Sequence, residues 1–318
     1  MIKIPLYSDN FKSPYAYING NRVINTSWAE IIHSAITVGK MNLSDIVKFK
    51  FYSFSEIIQR IFTVYSNLKT GKNDFIYRTE LFENSDPSEK GVASYLFGMM
   101  FAKILCKHFF NIQWLMHLFV YRNYLVPTYH GKSRPDLVGY DKTKGWLIIE
   151  GKGRSSYLDE KVISDGKNQV NSLRTIRGLS PFVKIISASY FKTKYLHLRW
   201  EDPDNENQFI YDISIQPEMV VNNYYKLIVE TVEGFNDSEK IEIQNRSFRI
   251  VNFKELGVKI GIDESIYINY MNNQFSSIID NRLESFEFEN GYIGNDGILI
   301  LLNNNWMKSK MKLEPGVR

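Results

Sequence analysis

The most informative pattern of apolar and polar positions lies near the middle of the chain. Two β-prone stretches, 136–140 and 146–150, flank a polar Asp-Lys-Thr-Lys-Gly link, and this arrangement predicts a β-hairpin. Side chains alternate between the two faces of a strand, so Glu150 and Lys152 should point to the same side. Asp136 begins the first strand and lies at the same end of the hairpin. The pattern therefore predicts that two carboxylates and one ammonium group converge.

Helical periodicity surrounds this hairpin. Apolar residues at helical spacing between 92 and 104 predict a helix that begins near Asp86. Downstream, residues 158–173 predict a second helix, which carries Gln169. Buried strands are then expected at 181–190 and 195–200. The third strand of the hairpin's meander is expected within 117–126, with 154–158 as the alternative.

The chain is expected to contain three regions and to have an α/β (α+β) fold with a central mixed β-sheet flanked by helices. The three regions are an N-terminal α+β region at 1–80, a core at 81–203 and an acidic C-terminal α+β region at 204–318. The elements predicted in the outer regions are helices at 54–68, 218–232 and 266–282, and strands at 15–18, 22–24, 247–253 and 297–302.

Composition excludes several classes of protein. A hydrophobic content of 44% with 14% aromatic residues excludes a disordered chain, and no apolar run reaches the roughly 18 residues of a membrane-spanning helix. A single cysteine, Cys106, and an N-terminus unlike a signal peptide favour the cytoplasm. The five histidines lack zinc-site spacing, and there is no Walker or Gly-x-Ser-x-Gly motif. His130 is expected to be an ordinary loop residue.

Basic charge is concentrated around the hairpin. The whole chain has a net charge of +4, but residues 120–200 hold 15 Lys and Arg against 6 Asp and Glu, whereas residues 201–318 hold 11 against 20. Such a patch is typical of phosphate binding, although a solvated surface is the alternative. The expected nucleic-acid-binding residues are Arg134, Lys142, Lys144, Arg154, Arg174 and Arg177.

The combination of Pro135-Asp136 with Glu150-Gly151-Lys152 resembles the PD-(D/E)XK nuclease superfamily, which includes many restriction endonucleases and the RecB-type nucleases. The resemblance implies a restriction-endonuclease-like core. It also implies that Asp136, Glu150 and the Gly151 carbonyl bind Mg²⁺, for which Mn²⁺ can substitute, and that Lys152 is the catalytic lysine. Divalent ions activate water and stabilise developing negative charge, and a lysine adds positive charge at the same place. The alternative is a solvated hairpin with chance acids.

Two further residues have open roles. Superfamily members carry an acid on the helix before the hairpin, which makes Glu89 a candidate catalytic acid and metal ligand. Asp86, Pro87 and Glu89 equally form a helix-capping pattern that requires no catalysis. Gln169 resembles the helix glutamine of RecB-type members, although Leu173 stands where those proteins usually have tyrosine. An ordinary exposed helix position is the alternative for Gln169.

The sequence thus favours a Mg²⁺-dependent DNA endonuclease that hydrolyses phosphodiester bonds, as the effector of a bacterial restriction or antiviral phage-defence system. Two alternatives are a catalytically silent nuclease-fold protein that binds nucleic acid or a partner, and a DNA-repair exonuclease. DNA and a regulatory or targeting protein are the expected partners. A homo-oligomer is compatible with the sequence, and no membrane association is expected.

Overall fold

The computed structural model describes residues 1–39, 50–71, 73–127, 134–203, 210–234, 239–281, 283–304 and 306. His130, expected in a loop, lies outside these residues. Within them, none of the helices combines the length and the apolar character needed to cross a membrane.

The described ranges contain α-helices and short 3-10 helices. The α-helices are α1 (Trp28–Thr37), α2 (Lys50–Asn67), α3 (Glu80–Asn84), α4 (Pro87–Phe110), α5 (Glu160–Asn171), α6 (Pro217–Gly234), α7 (Glu264–Met271) and α8 (Phe275–Asp280). Short 3-10 helices lie at Ala16–Ile18, Leu118–Tyr124 and Lys254–Leu256.

The described ranges also contain β-strands. They are β1 (Ile2–Asp9), β2 (Gly20–Thr26), β3 (Leu68–Thr70), β4 (Ile76–Arg78), β5 (Trp114–His117), β6 (Leu125–Val126), β7 (Leu137–Asp141), β8 (Gly145–Gly153), β9 (Leu173–Ile176), β10 (Val183–Lys192), β11 (Tyr195–Glu201), β12 (Tyr211–Ile213), β13 (Glu239–Ile243), β14 (Arg246–Phe253), β15 (Val258–Asp263), β16 (Phe286–Phe288), β17 (Gly291–Ile293) and β18 (Ile298–Leu302).

A central mixed sheet organises the fold. Its strand order is β2-β1-β11-β10-β8-β7-β5, with the β3–β4 pair joined to β11. The pairs β1–β11 and β8–β10 are parallel, and the other pairs of the sheet are antiparallel. Helix α4 packs on β8 and β10, and α5 also contacts both strands. The predicted architecture, a mixed sheet flanked by helices, is confirmed.

Two smaller sheets complete the described chain. Strands β6, β12 and β9 form one of them, in which β9 and β12 are parallel. The other is a six-stranded antiparallel sheet in the C-terminal region, with the order β13-β14-β15-β18-β17-β16. One continuous core of buried hydrophobic side chains extends from Ile2 to Trp306 and includes residues of all three predicted regions.

The predicted hairpin, the helices on either side of it and the strands at 181–190 and 195–200 are confirmed. Three element predictions are wrong. The third strand of the meander is Trp114–His117, and most of 117–126 forms a 3-10 helix. Residues 15–18, predicted as a strand, also contain a 3-10 helix. The single helix predicted at 266–282 is divided into α7 and α8. The first difference has a local cause, since His117 Nδ1 accepts a hydrogen bond from the Phe119 N–H and caps the 3-10 helix.

A buried polar cluster connects the C-terminal region to helices α1 and α4. The Asp296 carboxylate contacts His33 Nε2 at 2.9 Å, accepts a hydrogen bond from Tyr224, and lies 3.6 Å from Lys103 Nζ. Lys103 Nζ also donates to Thr37 Oγ1 at 2.6 Å. Each of these five residues is at most 5% exposed. Burial raises the pKa of Asp296, but His33 and Lys103 more than reverse that effect, so this pKa lies well below its ordinary value.

Candidate active site

The candidate site lies at the end of the β7–β8 hairpin opposite the turn. In the turn, the Asp141 carboxylate accepts hydrogen bonds from the backbone N–H and the hydroxyl of Thr143. Gly145 adopts a φ of +89°, a backbone conformation that favours glycine. This local chemistry closes the hairpin in a register that places Asp136 beside Glu150.

Asp136 and Glu150 are held together by an exchange of backbone hydrogen bonds. The N–H of Asp136 donates to Glu150 Oε2 at 3.0 Å, and the N–H of Gly151 donates to Asp136 Oδ2 at 3.1 Å. Glu150 is 1% exposed, whereas 20% of the Asp136 side chain is accessible. The exchange fixes both carboxylates and leaves Asp136 as the one nearer to solvent.

Lys152 and Gln169 complete this arrangement. Lys152 Nζ donates to Glu150 Oε1 and to Gln169 Oε1, each at 2.5 Å. Gln169 Nε2 in turn donates to the carbonyl oxygen of Arg134 at 3.2 Å. Both ends of the Gln169 amide are therefore engaged, and the structure brings together the four residues that the sequence placed at the hairpin and on the following helix.

Burial makes the two carboxylates costly to ionise. It raises the pKa of Glu150 well above the ordinary 4.5, and the negative charge of Asp136 raises it further. Burial also raises the pKa of Asp136, against the opposing effects of Lys152 and of the Gly151 N–H. Among the described residues, Lys152 is the cation in direct contact with this pair and Arg134 acts on Asp136 through its charge, so the two carboxylates remain costly to ionise together and a bound divalent cation would lower that cost.

Glycines allow two helices to reach the strand that carries these residues. A Cβ on Gly153 would lie 1.6 Å from the carbonyl oxygen of Ser94, and one on Gly98 would lie 2.8 Å from the Gly153 nitrogen. Helix α4 therefore contacts the β8 backbone directly. From the other side, a Cβ on Gly166 of α5 would lie 2.9 Å from the Ile186 side chain on β10, and Glu150 Cγ is at an ordinary contact distance of 3.7 Å. The strand is thus enclosed where its acid and its lysine must keep their positions.

Glu89 lies away from this group. Its carboxylate accepts the Asp86 backbone N–H at 3.3 Å, and together the two residues form a capping box at the start of α4. The α4 residue facing Gly151 is Met99, whose sulfur would be 3.0 Å from a Cβ there. Along the axis of α4, at about 1.5 Å per residue, Glu89 is about 15 Å from Met99 and about 9 Å from Tyr95, which contacts His117. Of the two roles left open by the sequence, the structure displays the cap.

His117 and Tyr95 adjoin the carboxylates and were not anticipated. His117 ends β5 and places Nε2 3.8 Å from Asp136 Oδ1 and 2.9 Å from the Tyr95 hydroxyl. Burial lowers the pKa of His117 to about 4, and the charges of Arg134 and Arg60 act in the same direction. The imidazole is therefore neutral at pH 7. The only sequence signal was the position of His117 at the edge of the expected meander.

The basic residues of the turn lie far from the acids. Lys142 Nζ pairs with Asp280 at 2.5 Å, and Lys144 Nζ donates to the Phe110 carbonyl at 2.8 Å. The five residues of β7 separate this turn from Asp136 by about 17 Å at about 3.4 Å per residue. Lys142 and Lys144 are consequently not part of a patch around the carboxylates.

Arg174 and Arg177 also have other contacts. The Arg174 guanidinium makes a two-point ion pair with Asp212, and the backbone N–H of Arg177 donates to the Ile213 carbonyl at 2.8 Å. Both residues are exposed beside the small three-stranded sheet. Pairing with Asp212 offsets the positive charge that a count along the sequence assigns to this part of the surface.

Basic and aromatic side chains do lie next to Asp136. The Arg134 guanidinium is 4.5 Å from the centre of the Phe119 ring, and that of Arg122 is 4.4 Å from the same ring. Arg134 also lowers the pKa of Asp136 through its charge, which locates it at the site. Arg154 is exposed two residues after Lys152. Arg122 and Phe119 were missed because nothing in the local sequence connects them to the hairpin.

The donor chemistry of the site was compared with the needs of Mg²⁺. Among the residues that the structure describes, no group of three or more His, Cys, Asp or Glu side chains could hold a metal ion. Mg²⁺ commonly uses only one or two carboxylates and completes its coordination with water and substrate phosphates. Asp136 and Glu150, with the Gly151 carbonyl available beside them, are hard oxygen donors of this kind. The residues present therefore fit a magnesium ion.

Comparisons of the chain with protein-family models, with curated proteins and with solved structures gave no match.

Proposed function

We propose that this protein is a Mg²⁺-dependent endonuclease that hydrolyses DNA phosphodiester bonds, with a restriction-endonuclease-like core of the PD-(D/E)XK type. The observation that carries the proposal is the pair of carboxylates, Asp136 and Glu150, fixed beside Lys152 in a largely buried site. Two adjacent buried carboxylates that share one ammonium group are costly to ionise together, and a bound divalent cation would lower that cost.

Each residue has a distinct role in the proposed reaction. Asp136, Glu150 and the Gly151 carbonyl would hold the ion, which when bound lowers the pKa of a coordinated water and stabilises negative charge on phosphate. Lys152 adds positive charge where the phosphate becomes more negative and orients the attacking water. Gln169 is a positioning residue, because it holds the Lys152 ammonium through a 2.5 Å hydrogen bond.

The DNA backbone would approach from the side of Arg134. The guanidinium groups of Arg134 and Arg122 both lie within 4.5 Å of the centre of the Phe119 ring, near Asp136, the more accessible carboxylate. Cations at this place attract phosphate and release counterions on binding. Arg134→Ala should therefore weaken DNA binding and reduce its dependence on salt by about one phosphate contact. Lys142→Ala, at the distant turn, is the matched control and should leave both unchanged.

The test is cleavage of supercoiled plasmid and linear DNA with Mg²⁺, Mn²⁺ or EDTA. Wild-type protein should cut in the presence of metal, and linearised or nicked plasmid would identify an endonuclease. Asp136→Asn and Glu150→Ala should remove cutting, whereas Lys152→Ala should slow it by roughly 10²-fold or more. Asp165→Asn, an exposed acid on α5, is the control for charge. Equal cutting by wild type and both carboxylate variants would refute the proposal.

A second candidate is a nucleic-acid-binding protein of the same fold that does not cut. It is favoured because three of the four carboxylate oxygens already accept a hydrogen bond within the protein. Glu150 Oε1 accepts from Lys152, Glu150 Oε2 from the Asp136 N–H, and Asp136 Oδ2 from the Gly151 N–H. Calorimetric titration with Mg²⁺ separates the candidates. Metal binding lost in Asp136→Asn supports the nuclease, and salt-sensitive DNA binding without metal binding or cutting supports the alternative.

A further inference from the structure

The pair formed by Tyr95 and His117 has no role in the mechanism above, although it lies against the carboxylates. Tyr95 is on α4 with its hydroxyl 2.9 Å from His117 Nε2, and that nitrogen is 3.8 Å from Asp136 Oδ1. Tyr95 is 43% exposed, whereas His117 is 4% exposed. The hydroxyl thus connects a buried imidazole to the accessible side of the site.

The direction of the hydrogen bond between them follows from a third contact. The backbone N–H of Phe119 donates to His117 Nδ1 at 3.2 Å. A nitrogen that accepts a hydrogen bond carries no proton, so the neutral imidazole of His117 has its proton on Nε2. Nε2–H must therefore donate to the Tyr95 oxygen, and Tyr95 is the acceptor of this hydrogen bond.

The proton of Tyr95 is consequently left to donate elsewhere. Within the described part of the chain, the hydroxyl makes no hydrogen bond besides the one to His117. Burial and the charges of Asp136 and Glu150 raise the pKa of Tyr95, so the hydroxyl keeps its proton at neutral pH. Held by His117 and partly exposed, it is a preoriented donor next to the acids.

An oxygen that can only accept hydrogen bonds is the natural partner for such a donor. We propose that Tyr95 contacts the substrate, with its hydroxyl donating to a non-bridging phosphate oxygen of the nucleic-acid strand, and that His117 is a positioning residue for it. This inference rests on the proposed nuclease function. It adds a neutral donor on the α4 side to the positive charge that Lys152 supplies from β8.

The first test is Tyr95→Phe, which removes one oxygen and keeps the ring. Loss of one hydrogen bond to a charged group should lower kcat/KM by about 10- to 100-fold. His117→Phe should give part of this loss, because the Tyr95 hydroxyl remains but is no longer oriented. The double variant should be no slower than Tyr95→Phe alone, since both changes affect one contact. Tyr270→Phe, on α7 in the C-terminal region, is the control.

A second readout separates substrate contact from a structural effect. Once the cleaved bond is mapped, oligonucleotides with single stereodefined methylphosphonates around it remove one non-bridging oxygen at a time. One such substitution should slow the wild type and have a much smaller additional effect on Tyr95→Phe. A purely structural Tyr95 would slow all these substrates by the same factor, which would overturn the inference.

The result also distinguishes this inference from the proposed function. If the wild type does not cut with any metal, the nuclease proposal fails together with the inference. If the wild type cuts and Tyr95→Phe cuts at the same rate, the nuclease stands and only the role of Tyr95 is refuted. Melting temperatures measured on all variants identify a loss of activity that comes from unfolding.

Discussion

Replacing Asp296 by alanine tests the buried polar cluster most directly. The substitution leaves the Lys103 ammonium without a carboxylate in a place where Lys103 is 3% exposed. Removing one partner of a buried ion pair typically costs about 3–5 kcal/mol, because the remaining charge is uncompensated. For a chain of 318 residues, an unfolding entropy of about 2.1 cal/mol/K per residue converts this loss to a decrease in Tm of about 4–7 °C.

The pH dependence of this loss has a defined sign. Burial lowers the pKa of Lys103 to about 8, so above that pH the folded wild type also has a neutral lysine and gains less from Asp296. The pKa of Asp296 is lowered by folding, so its contribution is present above the ordinary 3.8 and is lost as pH falls below it. The Tm difference between wild type and Asp296→Ala should therefore be largest between about pH 4 and about pH 8.

Thermal unfolding followed by circular dichroism measures this difference. Glu242→Ala, an exposed acid on β13, is the control for removal of a negative charge. The double variant Asp296→Leu with Lys103→Met should be more stable than Asp296→Ala, because it leaves neither charge of the ion pair buried, but it should stay below wild type because Tyr224 and His33 lose their buried partner. A Tm for Asp296→Ala within about 1 °C of wild type across this pH range would refute the reasoning.

Three further predictions concern the site and its helix. Gly153→Ala should destabilise the protein by about 1–3 kcal/mol or more, because the new Cβ would meet the carbonyl of Ser94 on α4. Gly91→Ala, also on α4, has open space around the new Cβ and should stabilise the protein by about 0.5–1 kcal/mol. Similar urea midpoints for the two variants would contradict the packing of α4 on β8. Glu89→Ala should cost about 0.5–1 kcal/mol as a lost cap and leave cleavage unchanged, whereas lost activity at an unchanged Tm would assign it to the site. In EDTA, Asp136→Asn should raise the Tm. Because folding raises the pKa of Asp136 above 3.8, the difference in Tm between this variant and wild type should grow as pH rises from that value. A difference in Tm that does not change with pH would contradict this.

The hairpin that carries the candidate site could be predicted because its signals are local. The alternation of residues, the polar link and the spacing of Glu150 and Lys152 all lie within one short segment, and antiparallel pairing follows directly from them. Gln169 was singled out through the resemblance to RecB-type nucleases, and the structure places it against Lys152. The alternation of side chains along the strand had already placed Glu150 and Lys152 on one face, and the structure shows these two side chains joined by a hydrogen bond.

The remaining part of the site depends on packing between distant elements. Tyr95 meets His117 because helix α4 approaches β8 at glycines, and no pattern near either residue indicates that approach. A charge count along the sequence also omits contacts between distant elements. Lys142 is paired with Asp280, 138 residues away, and Arg174 with an acid 38 residues away. A sum of charges along a segment does not include partners supplied by another part of the fold.

The contact between His33 and Asp296 also affects how the protein is made. The two residues are 263 positions apart. At about 5–20 residues per second, a ribosome needs about 13–53 s to synthesise the chain between them. Lys103 on α4 is made 193 residues before Asp296 and lacks this counterion for about 10–39 s of that time, and the same helix supports the strand that carries Glu150. We expect a nascent chain that ends before residue 296 to lack a stable candidate site, so the proposed DNA cutting would begin only after Asp296 has been made; cleavage by such a truncated chain would contradict this.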